Sequence, residues 1–149
     1  MTHATRIVAA VAVLVALAAG VPVQAQTPEI DALRERAEQG DAEAQTALGA
    51  MYYESLGVPK DYQLALKWHR RAAEQGDAHG QFSLGVMYAL GKGVPQDYVL
   101  AHKWYNLAAA QGEKDAAEYR DSLATEMTPS QISEAQKLAR EFKPKKEKL

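Results

Sequence analysis

The sequence predicts an all-α fold, a superhelical stack of about seven antiparallel helices, and three observations lead there. Shifted against itself by 36 positions, the stretch 41–76 aligns without a gap on 77–112. Inside each unit the apolar residues recur at three-and-four spacing, the period of a helix and not of a strand. Glycine and proline fall at the same places in both copies, where helices have to stop. Self-similarity at this period signals stacked units, each of which finishes its core only against its neighbours.

The chain opens on an address. Thr2, His3 and Arg6 precede an apolar run from Ile7 to Ala19, which leads through Gly20 and Pro22 to Val23-Gln24-Ala25. A short cationic start, an apolar centre and small residues at Val23 and Ala25 make residues 1–25 a signal peptide, with cleavage expected before Gln26. A membrane span needs about 20 apolar residues and this run stops short. The mature chain is therefore expected to carry no integral membrane anchor and to be periplasmic or secreted. It has no cysteine, so it must fold by packing alone and cannot be anchored through an N-terminal lipidated cysteine.

Residues 26–40 form a capping helix in this reading. Arg34 to Gly40 aligns with Arg70 to Gly76, so Ile30 to Gln39 resembles the second helix of a unit without its first. The first repeat, 41–76, and the second, 77–112, each read as helix A, loop, helix B. Asp41 and Asp77 can accept a hydrogen bond from a free amide at the start of helix A, along which Leu48, Met51 and Tyr52, or Leu84, Met87 and Tyr88, form an apolar face. Gly49 and Gly85 sit inside that helix, where glycine costs about 1 kcal/mol, so a close approach by a neighbouring helix is expected in return. Gly57-Val58-Pro59 and Gly93-Val94-Pro95 end the loops. Helix B spans about Asp61 to Gln75 and Asp97 to Gln111, stopped by Gly76 and Gly112. Its buried face carries Leu64, Ala65, Trp68 and Ala72 in one copy and Leu100, Ala101, Trp104 and Ala108 in the other. Small alanines let helices approach while the indoles fill the space between hairpins, making Trp68 and Trp104 the expected centre of the core.

Residues 113–142 supply the second cap, a helical pair. Glu113 to about Thr125 takes the helix A position, and Thr128-Pro129-Ser130-Gln131 provides an N-cap, a proline at the first helical position and a capping-box glutamine for a last helix to about Phe142. Lys143 to Leu149 reads as a basic, disordered, solvated tail.

Leu48-Gly49-Ala50-Met51-Tyr52, the Gly-Val-Pro loops and the Ala65, Trp68, Ala72-Ala73, Gln75-Gly76 spacing resemble the Sel-one-like repeat family, a relative of tetratricopeptide repeats. The resemblance covers about Ile30 to Gly112, more weakly to Pro144. It implies a right-handed superhelix of helical hairpins that scaffolds other proteins, often in signalling, envelope or quality-control assemblies, and it implies no chemistry. One departure stands out. The family usually has Gly-x-Gly before the loop valine, as in Gly91-Lys92-Gly93, whereas Ser55 replaces the first of these glycines in the first loop. Either Ser55 adopts a positive φ at a strain of about 1 kcal/mol, or that loop has another conformation.

In such arrays the inner surface is lined by helix A residues facing away from the shared core. Here these are Glu43, Thr46, Ala50, Tyr53 and Glu54 in unit one and His79, Phe82, Val86, Ala89 and Leu90 in unit two. Phe82, Val86 and Leu90 follow at four-residue intervals and replace Thr46, Ala50 and Glu54, so an apolar stripe appears where unit one is polar. Such a stripe fits an extended peptide or an amphipathic helix. The competing reading is that it packs against the C-terminal cap.

A net charge of −2 gives no basic field, so nucleic acid is not the expected partner. His69, His79 and His102 fall at unlike positions without metal-ligand spacing, and are expected on the surface with no metal and no cofactor. Ser55 and Ser83 lack a nucleophile elbow, leaving no catalytic constellation. The expected function is a non-catalytic adaptor that binds another protein or peptide. Second comes a binder of cell-wall polymer or small molecules, with Tyr53, Tyr105 and Tyr119 as exposed stacking platforms; an envelope hydrolase comes third. Weak homo-oligomers formed by end-to-end stacking are compatible with either end of the array.

Overall fold

A computed structural model describes residues 27–148. The expected signal peptide lies outside these described residues. Among them are seven helices and no strand: α1 Pro28–Glu38, α2 Ala42–Glu54, α3 Tyr62–Glu74, α4 Ala78–Leu90, α5 Tyr98–Ala110, α6 Lys114–Ala124 and α7 Pro129–Glu141. Neighbours in sequence pack on one another from α1 to α6, α2 touches α4 across the repeat, and α7 folds back onto α5.

Aspartates start the four repeat helices. Asp41 and Asp77 accept from the amides of Ala44 at 3.1 Å and Gly80 at 2.7 Å. Asp61 and Asp97 accept from Leu64 and Leu100, both at 3.0 Å. Each contact satisfies one of the amides that a helix start leaves without an intrahelical partner. The last helix begins with the expected capping box, Thr128 and Gln131 each bonding the other's backbone. Glu113 makes no cap hydrogen bond for α6 and instead pairs with His79 at 2.9 Å.

The two loops share one geometry despite their different residues. Ser55 has φ 63° and ψ 43°, and Gly91 has φ 65° and ψ 38°. The serine thus accepts the left-handed conformation, and its hydroxyl donates to the carbonyl of Val58 at 3.1 Å. The glycines inside α2 and α4 are explained by what faces them. A Cβ on Gly49 would sit 2.7 Å from the His69 ring, and one on Gly85 would sit 2.7 Å from the Tyr105 ring.

Leu48, Trp68, Leu84, Met87 and Trp104 are buried in a single core, as the spacing predicts, with Ala65, Ala73 and Ala101 buried among the helices. A polar ladder joins the units. Gln75 donates to the Gly40 carbonyl and to the Gln45 side chain, both at 2.9 Å, while Gln45 donates to the Ala37 carbonyl at 3.0 Å. One repeat later Gln111 bonds Gly76 and Gln81 in the same way. These amides bond carbonyls at the helix ends and turns and tie each unit to the next.

The tail differs from expectation. Residues 143–148 form no helix and all but Glu147 are exposed, yet the segment is tied down at Lys145 and Glu147. The Lys145 amide donates to the Glu74 carbonyl at 2.8 Å, and the Glu147 amide to the Gln75 side chain at 3.0 Å. Pro144 lies against Gly76 and Glu147 against Gly40, so the segment runs along the turns between units back toward the first helix. The Gln45 and Gln75 side chains, already part of the ladder, and the Arg71 guanidinium provide the binding groups, all of them meeting Glu147 and none of them a lysine.

Candidate functional site

Two cavities open on the face made by α2, α4 and α6. The smaller, about 170 Å³, is lined by Ala50, Tyr53, Glu54, His69, Phe82, Ser83 and Val86. The larger, about 290 Å³, is lined by Val86, Ala89, Leu90, Tyr105, Glu118, Tyr119, Ser122, Leu123 and Glu126. They are the same place in successive units. Moving each residue of the smaller cavity forward by one 36-residue repeat gives Val86, Ala89, Leu90, Tyr105, Glu118, Tyr119 and Ser122, all of which line the larger. The repeat therefore builds the site twice and decorates it differently.

The floors show the difference. Tyr105 lies on Gly85 and is covered by Tyr119, their ring centroids 5.8 Å apart. In the preceding unit His69 lies on Gly49, and the position of Tyr119 is taken by Ser83. Burial pushes the Tyr105 phenol above its ordinary range, with nearby tyrosines adding to the effect. Burial likewise depresses the His69 imidazole to about 4, against the opposing charge of Asp77. His69 is thus neutral near pH 7, and its Nδ1 is sealed without a hydrogen-bond partner.

Seven of the ten residues expected on the inner surface come together at these cavities: Ala50, Tyr53, Glu54, Phe82, Val86, Ala89 and Leu90. Three do not. Thr46 donates to Asp77 at 2.8 Å, His79 is held by Glu113, and Glu43 is exposed beyond the cavity rims. The apolar stripe divides along its length. Phe82 packs on the cap, 5.2 Å from the Tyr119 ring and 5.7 Å from Tyr105, whereas Leu90 remains 57% exposed. Docking on the cap thus describes one end of the stripe and an open surface the other.

Two expectations about polar residues are corrected. His69 and His102 are buried, not on the surface, because helix B faces the hairpin partner on a second side as well as the core. Burial lowers the His102 pKa, helped by the charge of Arg120. Tyr105 is buried too, since the side-chain-free backbone of Gly85 admits its ring; Tyr119 is half exposed. His69 and Ser83 were not expected in the groove, and Tyr105 and Tyr119 were expected only as stacking platforms; the 36-residue shift applied to helix B and the cap as well as to helix A would have placed all four in the linings.

No group of three or more His, Cys, Asp or Glu among the described residues could hold a metal ion, and no helix among them is long and apolar enough to cross a membrane. The Sel1 repeat family matches residues 42–77 and 78–113. A protective antigen of uropathogenic Escherichia coli, described as displaying an SLR fold, is 35% identical with a TM-score of 0.71 over 74% of this chain and 24% of its own. A Sel1 repeat protein from Oxalobacter formigenes is 40% identical with a TM-score of 0.60, over 61% of this chain and 26% of its own. This chain spans about a quarter of each of those proteins. No curated protein matches it.

Proposed function

From the premise that this chain belongs to the Sel1-repeat proteins, whose solenoids serve protein–protein interaction, we propose that it is an exported adaptor of the cell envelope. It holds a peptide or helix of another protein on the face of α2, α4 and α6. One observation carries this reading: the two repeat-related cavities, the larger of which is lined by Leu90, 57% exposed, and Tyr119, 50% exposed. Large apolar side chains left open beside a concavity are stabilised by a partner that covers them. The leader-like residues 1–25 support export. Stacking of a cell-wall polymer retains Tyr53 and Tyr119 as platforms but loses Tyr105.

The test replaces Leu90 with a photoreactive residue in the full-length gene, expressed in its own host, with position 60 as the control. One protein crosslinked from position 90 and not from position 60 is the expected result, on a chain whose N-terminus is Gln26 by mass spectrometry. Equal labelling from both positions removes this face as the binding surface, and an N-terminus retaining the leader removes export.

A further inference from the structure

The linings of the two cavities also carry charge of one sign. Glu54 stands at the smaller cavity and Glu118 and Glu126 at the larger, while neither is lined by a lysine or arginine. The acids that form ion pairs among the described residues are Asp31, Glu38, Asp41, Glu113, Asp121 and Glu147, so these three carboxylates are uncommitted. Between them lies an apolar wall of Val86, Leu90 and Tyr119. Uncommitted charges around an apolar concavity select a partner of opposite sign, raising its association rate and disfavouring acidic competitors.

We propose, resting on the adaptor reading, that the partner presents an extended cationic segment: one large apolar side chain seated against Leu90 and Tyr119, with lysine or arginine on either side facing Glu54 and the Glu118–Glu126 pair. The repeat sets the spacing. Packed helices such as α2 and α4 lie about 8–10 Å apart, and an extended peptide advances about 3.3 Å per residue. The basic residue that reaches Glu54 therefore stands about three positions from the apolar anchor. The smaller cavity suits it: Tyr53 and Phe82 flank the aliphatic stem, and the Ser83 hydroxyl and the Glu54 carboxylate accept from the charged end.

Random peptides of about a dozen residues displayed on phage, selected against the protein lacking its leader, test this directly. Enriched sequences should carry a leucine, methionine or aromatic residue with lysine or arginine about three positions away. Synthetic copies should bind about tenfold more weakly to Glu54→Lys and Glu126→Lys proteins, and more weakly in high salt. Both glutamates are exposed, so circular dichroism and the melting midpoint should match the parent protein. Neutral or acidic consensus sequences, or equal binding by the charge-reversed proteins, overturn the proposal. So does a second copy of this chain crosslinked through position 90. A partner captured from position 90 that lacks a cationic segment sinks this inference and leaves the adaptor standing; failure of both capture and selection sinks both.

Discussion

Arg71 and Glu147, 76 residues apart, form a two-pronged ion pair, Nε to Oε1 at 2.9 Å and Nη2 to Oε2 at 2.7 Å. Arg71 also stacks on Trp68, its guanidinium carbon 4.8 Å from the ring centroid. The pair holds the Glu147 carboxyl below its ordinary 4.5, with Gln45 adding a further hydrogen bond. Arg71→Ala and Glu147→Gln should each lower stability by about 1 kcal/mol, less than additively when combined. The folded-state pKa of Glu147 is depressed, so its contribution is full above 4.5 and is lost as pH falls through the lower folded value. Urea unfolding of the four proteins of the cycle at pH 7 and pH 3 checks both statements.

His69 acts in the same direction over a higher pH window. Its imidazole drops from 6.5 to about 4 on folding, so between those values the unfolded chain binds a proton that the folded one does not. The His69 contribution is then level above pH 6.5 and falls by about 3 kcal/mol by pH 4. His69→Phe should remove this slope, measured as the difference between the two proteins' urea midpoints across the range. Parallel curves for the two would mean that His69 is protonated at no stability cost.

Ser55→Gly should raise stability. A left-handed residue with a Cβ is strained by about 1 kcal/mol or more, and glycine removes that strain at the loss of one half-exposed hydroxyl bond to Val58. A net gain of about 0.5–1 kcal/mol, read as a higher melting midpoint, is the expected outcome. Gly91→Ser should lose a similar amount, without a compensating bond of known geometry.

Trp104 joins the repeats to the cap. Its indole meets Phe142 edge-on at 5.4 Å and is covered by Lys103. Trp104→Ala should cost about 3–5 kcal/mol and Phe142→Ala less, with a coupling of about 1 kcal/mol between them. Hydrogen exchange at Lys145 and Glu147 should accelerate in Phe142→Ala while Gly80 and Leu100 keep their protection. Uniform acceleration would show that the tail is not separately anchored at Phe142.

Most of the fold was legible because each local signal repeats. Aspartate at every repeat-helix start, the glycines facing a ring and the two tryptophans all fall at positions that a 36-residue shift superposes. Half of the candidate site was legible for the same reason, since Ala50, Glu54, Val86 and Leu90 lie on the one face of helix A that does not meet the core. His69 and Tyr105 escaped because helix B buries two sides, one toward the next unit and one onto the glycine of its own hairpin, and only the first shows as an alanine–tryptophan pattern. The tail escaped for a different reason. Its lysines dominate its composition, whereas its placement is decided by one glutamate and by backbone amides that meet a polar ladder formed far away in sequence.

That placement has a thermodynamic consequence. In an ordinary linear array each unit touches only its neighbours, so the ends can fray while the middle holds. Here the last segment reaches the first turn at Gly40, and opening either terminus breaks contacts of the other. Unfolding should therefore approach all-or-none, with few partly melted species. The same reach limits copy number: a further unit inserted before α7 would carry Phe142 away from Gly40, and the short segment to Glu147, at about 3.3–3.6 Å per residue, would no longer span the added distance. The tail measures an array of two.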